Sequence, residues 1–381
     1  MRLAAAFVLL LAAPPASLGV AHATGDPEVF SDESPATGVA TQHAAPVHAG
    51  FEQVDLGTLF PKSGYIFKWE RQDGADPTTV TGDGIDAYLG AGASDLYREY
   101  GVEEVRFLDY LHEGGASARV EVFRAKSPDG AYGLFSIFNA ATKEADPDDK
   151  SMLPTHRMVK GFNKYGEVEM QDHTIPPLVT ENYHIYPGQG GEFFKGRVYG
   201  RIAVSGTVDD THMLAFVNFI LDKIPKDGPR PPILRELPRP GMIRGSERYL
   251  VGRVSLEELS FPVPGELWAL TGSARAATAR YRYAPGIDYD IVVAKYPNAT
   301  AAKAKFDSMV EFFRGDENFT NFPDSTLPDP FDVEQVKSSG QFIGVRALGA
   351  KLLLYNAVPN EPMFARILDT GASISVGPAG S

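Results

Sequence analysis

Arg119-Val-Glu-Val-Phe-Arg124, followed by Ser127-Pro128-Asp129-Gly130-Ala131-Tyr132-Gly133, is where the architecture of this chain first becomes legible. The first six residues alternate in polarity as a half-buried strand does. Ser127 is a helix-capping residue type, and Pro128 suits the first helical position, where no backbone N–H is required. The pattern returns 171 positions later, as Asp290-Ile-Val-Val-Ala-Lys295 with Asn298 as the cap, and Ala131 and Phe135 then fall on Ala302 and Phe306. Farther on, Gly191, Phe193, Arg197 and Gly200 align with Gly340, Phe342, Arg346 and Gly349 at an offset of 149. The offsets differ by 22, which predicts about that many extra residues in the middle of the first half.

Self-similarity at a long period is the signature of a repeated architecture. The expected fold class is α+β: two related halves, each an antiparallel sheet with helices packed on it, built as strand, strand, helix, strand, strand, helix. Strands are predicted at 102–111, 118–125, 183–194 and 197–205 in the first half, and at 278–283, 289–295, 333–347 and 350–357 in the second. Helices are predicted at 128–140, 210–224, 299–313 and 361–369. Short links between successive strands favour hairpins, hence antiparallel pairing. Residues 84–100 read as one further helix with a flat Gly90-Ala-Gly-Ala93 centre, whereas Pro262 and Pro264 oppose a long counterpart in the second half.

Around these halves the segments differ in composition. Residues 1–23 read as a cleaved signal peptide, with Arg2, the apolar run Leu3 to Ala13, and Ala21-His22-Ala23 as the small-x-small site. Pro14 and Pro15 end that run well short of the roughly 20 residues a spanning helix needs. The expected address is therefore bacterial periplasm or medium, with no stable membrane anchor after cleavage. Residues 24–53 have no Lys or Arg and few large apolar groups, the composition of a disordered leader. The first half then runs over 54–224, a proline-rich linker over 225–241, the second half over 242–372 and a flexible tail over 373–381.

The net charge of −13 makes nucleic acid and anionic membrane surfaces unexpected partners, because both are held by clustered Lys and Arg that neutralise phosphates. The chain contains no cysteine, which excludes disulfides, thiolate catalysis, cysteine-ligated metals and lipid attachment through an N-terminal cysteine.

Residues 82–140 resemble a family of exported bacterial proteins known only as a domain of unknown function. The likeness lies in Ile85-Asp-Ala-Tyr88, in Asp95-Leu-Tyr-Arg-Glu-Tyr-Gly101 reached through Gly92-Ala93, and in the Ser127 to Gly133 block. Gly245-Ser-Glu-Arg-Tyr249 is similar to the opening of that family's second half. Leu89-Gly90-Ala91 departs from the family's usual Asn-Gly pair. The resemblance implies an exported address and a two-half layout, and it brings no activity.

No catalytic motif stands out. Neither a Gly-x-Ser-x-Gly elbow nor a Ser-x-x-Lys in suitable context occurs. No cofactor or metal is expected. The candidate ligands for a metal are His156, His173 and His184, beside Asp172 and Glu181, but they lack the His-x-x-x-His or His-x-His spacing that would place two on one face. They read instead as solvated loop histidines. Gly188-Gln-Gly-Gly191 reads as a hairpin turn and Asp146-Pro-Asp-Asp149 as a solvated turn rather than a calcium loop. Arg280 and Arg282 share one strand face, suited to an anion or to a half-exposed strand, and only Trp69 and Trp268 offer broad surfaces for stacking a sugar. The leading expectation is a non-catalytic binding or envelope accessory protein, its unknown ligand or envelope partner held in a groove between the halves. The alternatives are an extracytoplasmic hydrolase with a site in the 141–190 segment, and a purely structural surface component.

Overall fold

The computed structural model describes residues 54–138, 160–163, 166–169, 182–186, 190–321 and 331–359, apart from 244, 260 and 285. The expected signal peptide, leader, 361–369 helix and tail lie outside the described residues. Those described belong to one compact unit, Glu52–Ser381.

In chain order the first half contains β1 (Trp69–Arg71), β2 (Thr78–Thr81), α1 (Gly84–Leu89), α2 (Ala91–Glu99), β3 (Val102–His112), β4 (Ser117–Ala125) and α3 (Pro128–Phe138). It continues with β5 (Lys160–Asn163), β6 (Gly166–Glu169), β7 (Tyr183–Tyr186), β8 (Gly190–Lys195), β9 (Val198–Ser205) and α4 (Asp210–Lys223). The second half contains β10 (Arg248–Leu250), α5 (Arg253–Glu257), α6 (Gly265–Trp268), β11 (Arg275–Ala284), β12 (Ile287–Lys295) and α7 (Ala299–Gly315). It closes with β13 (Phe319–Asn321), β14 (Phe331–Val336), β15 (Phe342–Leu348) and β16 (Lys351–Val358). Each half contains a seven-stranded antiparallel sheet: β1-β3-β4-β9-β8-β7 with β2 also on β3, and β10-β11-β12-β16-β15-β14-β13; β5 and β6 pair as a separate two-stranded hairpin. The fold class is thus α+β, two antiparallel sheets with helices packed on them.

The two sheets share connectivity and register. Tyr110 pairs with Ala118 as Tyr281 pairs with Tyr289, each 171 positions on. Both tyrosines are buried and donate to a proline carbonyl, Tyr110 to Pro61 and Tyr281 to Pro238, each at 2.9 Å. Ser127 Oγ accepts from Gly130 N at the start of α3, as Asn298 Oδ1 accepts from Ala301 N at the start of α7. A cross-strand ion pair also recurs with its charges exchanged: Arg119 with Asp109 in one sheet, Arg280 with Asp290 in the other.

The second offset is corrected by the structure. Val120 pairs with Ile202 and Ile291 with Tyr355, so β9 and β16 are related by 153 positions, not 149. Gly196 and Gly349, with φ +56 and +57, occupy equivalent hairpin turns that require a left-handed residue. Gly200 instead lies within β9 beneath the Phe193 ring, where any Cβ would stand 2.1 Å from ring carbon. Two predicted long strands are hairpins: 183–194 is β7 and β8, and 333–347 is β14 and β15, the latter pair turning through Gly340 at φ +71. The predicted 84–100 helix is α1 and α2, broken at Gly90 with φ +83.

Three apolar clusters hold the unit together. One lies between the first sheet and α4, and another between the second sheet and α7. The third joins the halves, combining Tyr100, Phe123, Phe135 and Tyr199 with Tyr249, Tyr281, Ile291 and Tyr355. The helices reflect these places. Eight of the eleven residues of α3 are buried, against five of seventeen in α7, because α3 meets β4, β8 and β9 on one side and β10 on the other. The proline-rich segment is part of this joint. Its 3-10 turn at Pro232–Glu236 lies on β11 and β12 and buries Ile233, Leu234 and Leu237.

Tyr110→Phe and Tyr281→Phe should each lower stability by about 1 kcal/mol, the usual worth of one buried hydrogen bond, as read from urea unfolding. Gly130→Val should cost about 3 kcal/mol or more, since a Cβ there would meet Tyr100 O at 2.2 Å. A neutral outcome for Gly130→Val would contradict the close approach of α2 and α3.

Candidate functional site

Where the halves meet, a cleft of about 750 Å³ opens to solvent. One wall comes from the first half: Asn182 and Tyr183 at the start of β7, Phe194 on β8 and Leu221 in the last turn of α4. β7 is the edge of its sheet, so this wall faces outward. The other wall is the proline-rich segment, with Asp227, Gly228, Arg230, Pro231, Leu234, Arg235 and Arg239, and Glu247 just before β10. Six prolines from 225 to 240 deny this segment regular ladders, so it crosses the joint as an extended strap with its side chains displayed.

The chemistry of the cleft is that of guanidinium and hydrocarbon. Arg230 lies with its guanidinium 5.4 Å from the Tyr132 ring centre, and burial pushes the Tyr132 phenol up to about 12. Arg235 and Arg239 are exposed and make no ion pair among the described residues. Elsewhere the arginines are commonly paired, among them Arg98 with Asp86, Arg197 with Glu103 and Arg282 with Asp288. Of the two acids in the cleft, Glu247 is occupied by Gly245 N at 2.8 Å. Phe194 and Leu234 supply an apolar floor. Serine, threonine and histidine are absent from the described lining, so no nucleophile with an adjacent imidazole is assembled there.

The histidines behave differently from the sequence expectation. His156 and His173 lie outside the described residues, as do Asp146 to Asp149 and most of the 141–190 segment. His184 is not a solvated loop residue: it sits in β7 at 2% exposure, with its ring stacked 4.5 Å from Phe135 and its Nδ1 without a hydrogen-bond partner among the described residues. Burial, assisted by the charge of Arg248, pulls its pKa down to about 4. Among the described residues no group of three His, Asp or Glu side chains could hold a metal.

Other sequence candidates are absorbed by packing. Arg280 and Arg282 pair across the hairpin with Asp290 and Asp288, so that strand face is internally neutralised. Trp69 and Trp268 are both fully buried, and no broad indole surface is left for a sugar. Gly191 pairs with Ile185 in the β7–β8 ladder, in keeping with a hairpin.

Three polar clusters were not legible in the sequence. Glu121, nearly enclosed, accepts from Tyr88 and from the Arg201 guanidinium, which also reaches Tyr97 at 3.3 Å; its capacity is filled by its own neighbours. His212 Nδ1 accepts the Trp69 indole N–H at 3.0 Å, its ring 5.2 Å from that of His112, and burial followed by the His112 neighbour lowers its pKa. Asp332 and Glu334 lie two apart on β14, each with one carboxylate oxygen lacking a donor among the described residues. Burial raises both pKa values, opposed by Arg314 for Asp332 and by Asn321 for Glu334.

These shifts give a signed pH dependence. An unfolded histidine titrates near 6.5, so between about pH 6.5 and 4 the folded state binds fewer protons than the unfolded one at His184. Its contribution is full above that window and falls as the pH drops through it, by on the order of 3 kcal/mol. Asp332 and Glu334 act in the opposite sense, favouring the fold at low pH and losing that effect as the pH rises through their raised values. His184→Leu should flatten the acid limb of a stability profile measured by urea unfolding between pH 6.5 and 4. A limb of unchanged slope would remove His184 as its source. No protein-family model, curated protein or solved structure matches the chain.

Proposed function

We propose that this chain is an exported, non-catalytic binding protein, and that its ligand is an organic anion lodged in the cleft between the halves. The observation that carries this reading is the placement of Arg230, Arg235 and Arg239 around one opening of a chain with net charge −13. In a sequence so rich in carboxylates, exposed arginines are readily neutralised internally. Arg235 and Arg239, which make no ion pair among the described residues and lie beside the same cleft, are suited to an anion from outside, since a guanidinium matches carboxylate and phosphate in a planar, bidentate way. The apolar floor of Phe194 and Leu234 adds room for a hydrocarbon or aromatic body. The export signal read in residues 1–23 and the resemblance to exported bacterial proteins support the address. The shared register of the two sheets supports descent from one duplicated unit, which would leave a cleft at its joint.

The test is thermal unfolding of the protein with a panel of aliphatic and aromatic carboxylates and phosphate esters at matched ionic strength. A ligand at a hundred times its Kd should stabilise the fold by about 2.7 kcal/mol. Arg235→Gln with Arg239→Gln should abolish most of that gain while leaving the ligand-free midpoint within about 0.5 kcal/mol of wild type, as expected for exposed positions. Stabilisation by no member of the panel beyond that given by chloride would remove the reading.

A further inference from the structure

We propose that Trp69, His112 and His212, apart from the cleft, form an acid-operated latch: the neutral imidazole of His212 holds the segment 62–71 on the edge of the first sheet, and a proton on that ring releases it. Three parts of the first half meet at these rings. Trp69 comes from β1, His112 from the end of β3 and His212 from the first turn of α4. The ring centres of Trp69 and His112 lie 5.1 Å apart and those of His112 and His212 5.2 Å apart. Trp69 is 1% exposed, with Phe216 of α4 edge-on at 5.6 Å.

Hydrogen bonding fixes the protonation state in which the latch is closed. An indole can only donate, and Trp69 gives its N–H to His212 Nδ1 at 3.0 Å. His112 Nδ1 accepts from Gly114 N, also at 3.0 Å, within the turn that joins β3 to β4. A proton on His212 Nδ1 would set two N–H groups against each other, so the indole has to turn away and lose its acceptor. Tyr110, Tyr281 and Tyr296 give their hydroxyls to backbone carbonyls, which do not titrate near neutrality. Trp69 relies instead on the side-chain type that does.

The surroundings set the direction. His112 and Lys68 oppose a charge on His212, as does the positive end of α4. Asp209 favours one, although its Oδ1 is already held by Thr211 N at 2.9 Å. Asp210 follows it in the first turn of α4, and Glu113 lies 3.7 Å from Lys68. Glu70 pairs with Leu111 on the face of β1 away from Trp69. Burial, then His112, lowers the pKa of His212, so the folded ring takes up its proton below the value of about 6.5 usual for an unfolded histidine. The latch is thus fully closed above that pH and opens as the pH falls through the lowered value. Little else holds the strand: β1 pairs with β3 over three residues at the sheet edge. Gly64 N donates to Trp69 O at 2.9 Å and Trp69 N to Ile66 O at 3.0 Å, so the loop before β1 moves with its tryptophan.

Trp268, fully buried in the second half, is the other tryptophan and serves as an internal control. With 5-fluorotryptophan in the full chain, the fluorine-19 resonance of Trp69 should shift between about pH 7.5 and 5, with a midpoint below about 6.5, while that of Trp268 stays in place. Trp69→Phe or Trp268→Phe assigns the two signals. His212→Asn offers the indole an oxygen that does not titrate; it should hold the Trp69 resonance constant over that range. At about pH 5 it should also slow exchange of the Trp69 indole N–H by about tenfold or more relative to wild type. A Trp69 resonance that stays still, or moves only together with that of Trp268, would overturn the proposal. So would a transition that persists unchanged in His212→Asn. Should that variant fail to fold, the wild-type titration still decides.

Discussion

The contact between Tyr100 and the two glycines of α3 is the constraint on which the joint of the molecule rests. Gly130 comes so near Tyr100 O that a Cβ would lie 2.2 Å from it, and Gly133 meets the Tyr100 ring, where a Cβ would lie 2.1 Å from ring carbon. Only hydrogen at both positions lets α2 and α3 close on one another. The tyrosine then reaches past α3 to donate its hydroxyl to Tyr249 O in the second half. Ser136 of α3 accepts from Tyr249 N at 3.1 Å, and Glu99 accepts from Val254 and Ser255 N at 2.8 Å each. Buried backbone groups of one half are thereby satisfied by the other.

From that joint the rest of the architecture follows. Because α3 is covered on both sides, it is apolar around most of its circumference, unlike α4 and α7, which each keep a wet face. The proline-rich segment has to cross the joint, and its 3-10 turn places Tyr281 under Pro238 as the first half places Tyr110 under Pro61. The cleft is what remains where the strap, the β7 edge and the end of α4 do not meet. Tyr100, the Ser127 to Gly133 block and Tyr249 are parts of the joint.

The exchanged ion pairs show how the halves differ while keeping one register. Asp109 with Arg119 and Arg280 with Asp290 occupy equivalent cross-strand positions, and either order satisfies a pair of facing residues. Buried positions are less free. Tyr110 and Tyr281 keep the same ring and the same acceptor because the hydroxyl is enclosed and has to be bonded.

Local physics alone determined the strands, the capped helices and the 171-residue spacing, since polarity alternation, Ser127 and Asn298 caps and glycine turns act within a few residues. The β7 and β14 hairpins and the Gly90 break were blurred because each is decided by a single backbone reversal within an otherwise continuous apolar pattern. The cleft was foreseen only as a groove between halves. Its arginines come from a proline-rich stretch that reads as a linker, and nothing local says that Ile233, Leu234 and Leu237 pin it to a core. The enclosure of His184 escapes the sequence for the same reason, because whether a ring is wet or buried depends on residues distant along the chain, here Phe135, 49 positions before it, and Arg248, 64 positions after it. Sequence fixes which groups can pair with neighbours along the chain; burial, and with it the chemistry of each side chain, belongs to the tertiary fold.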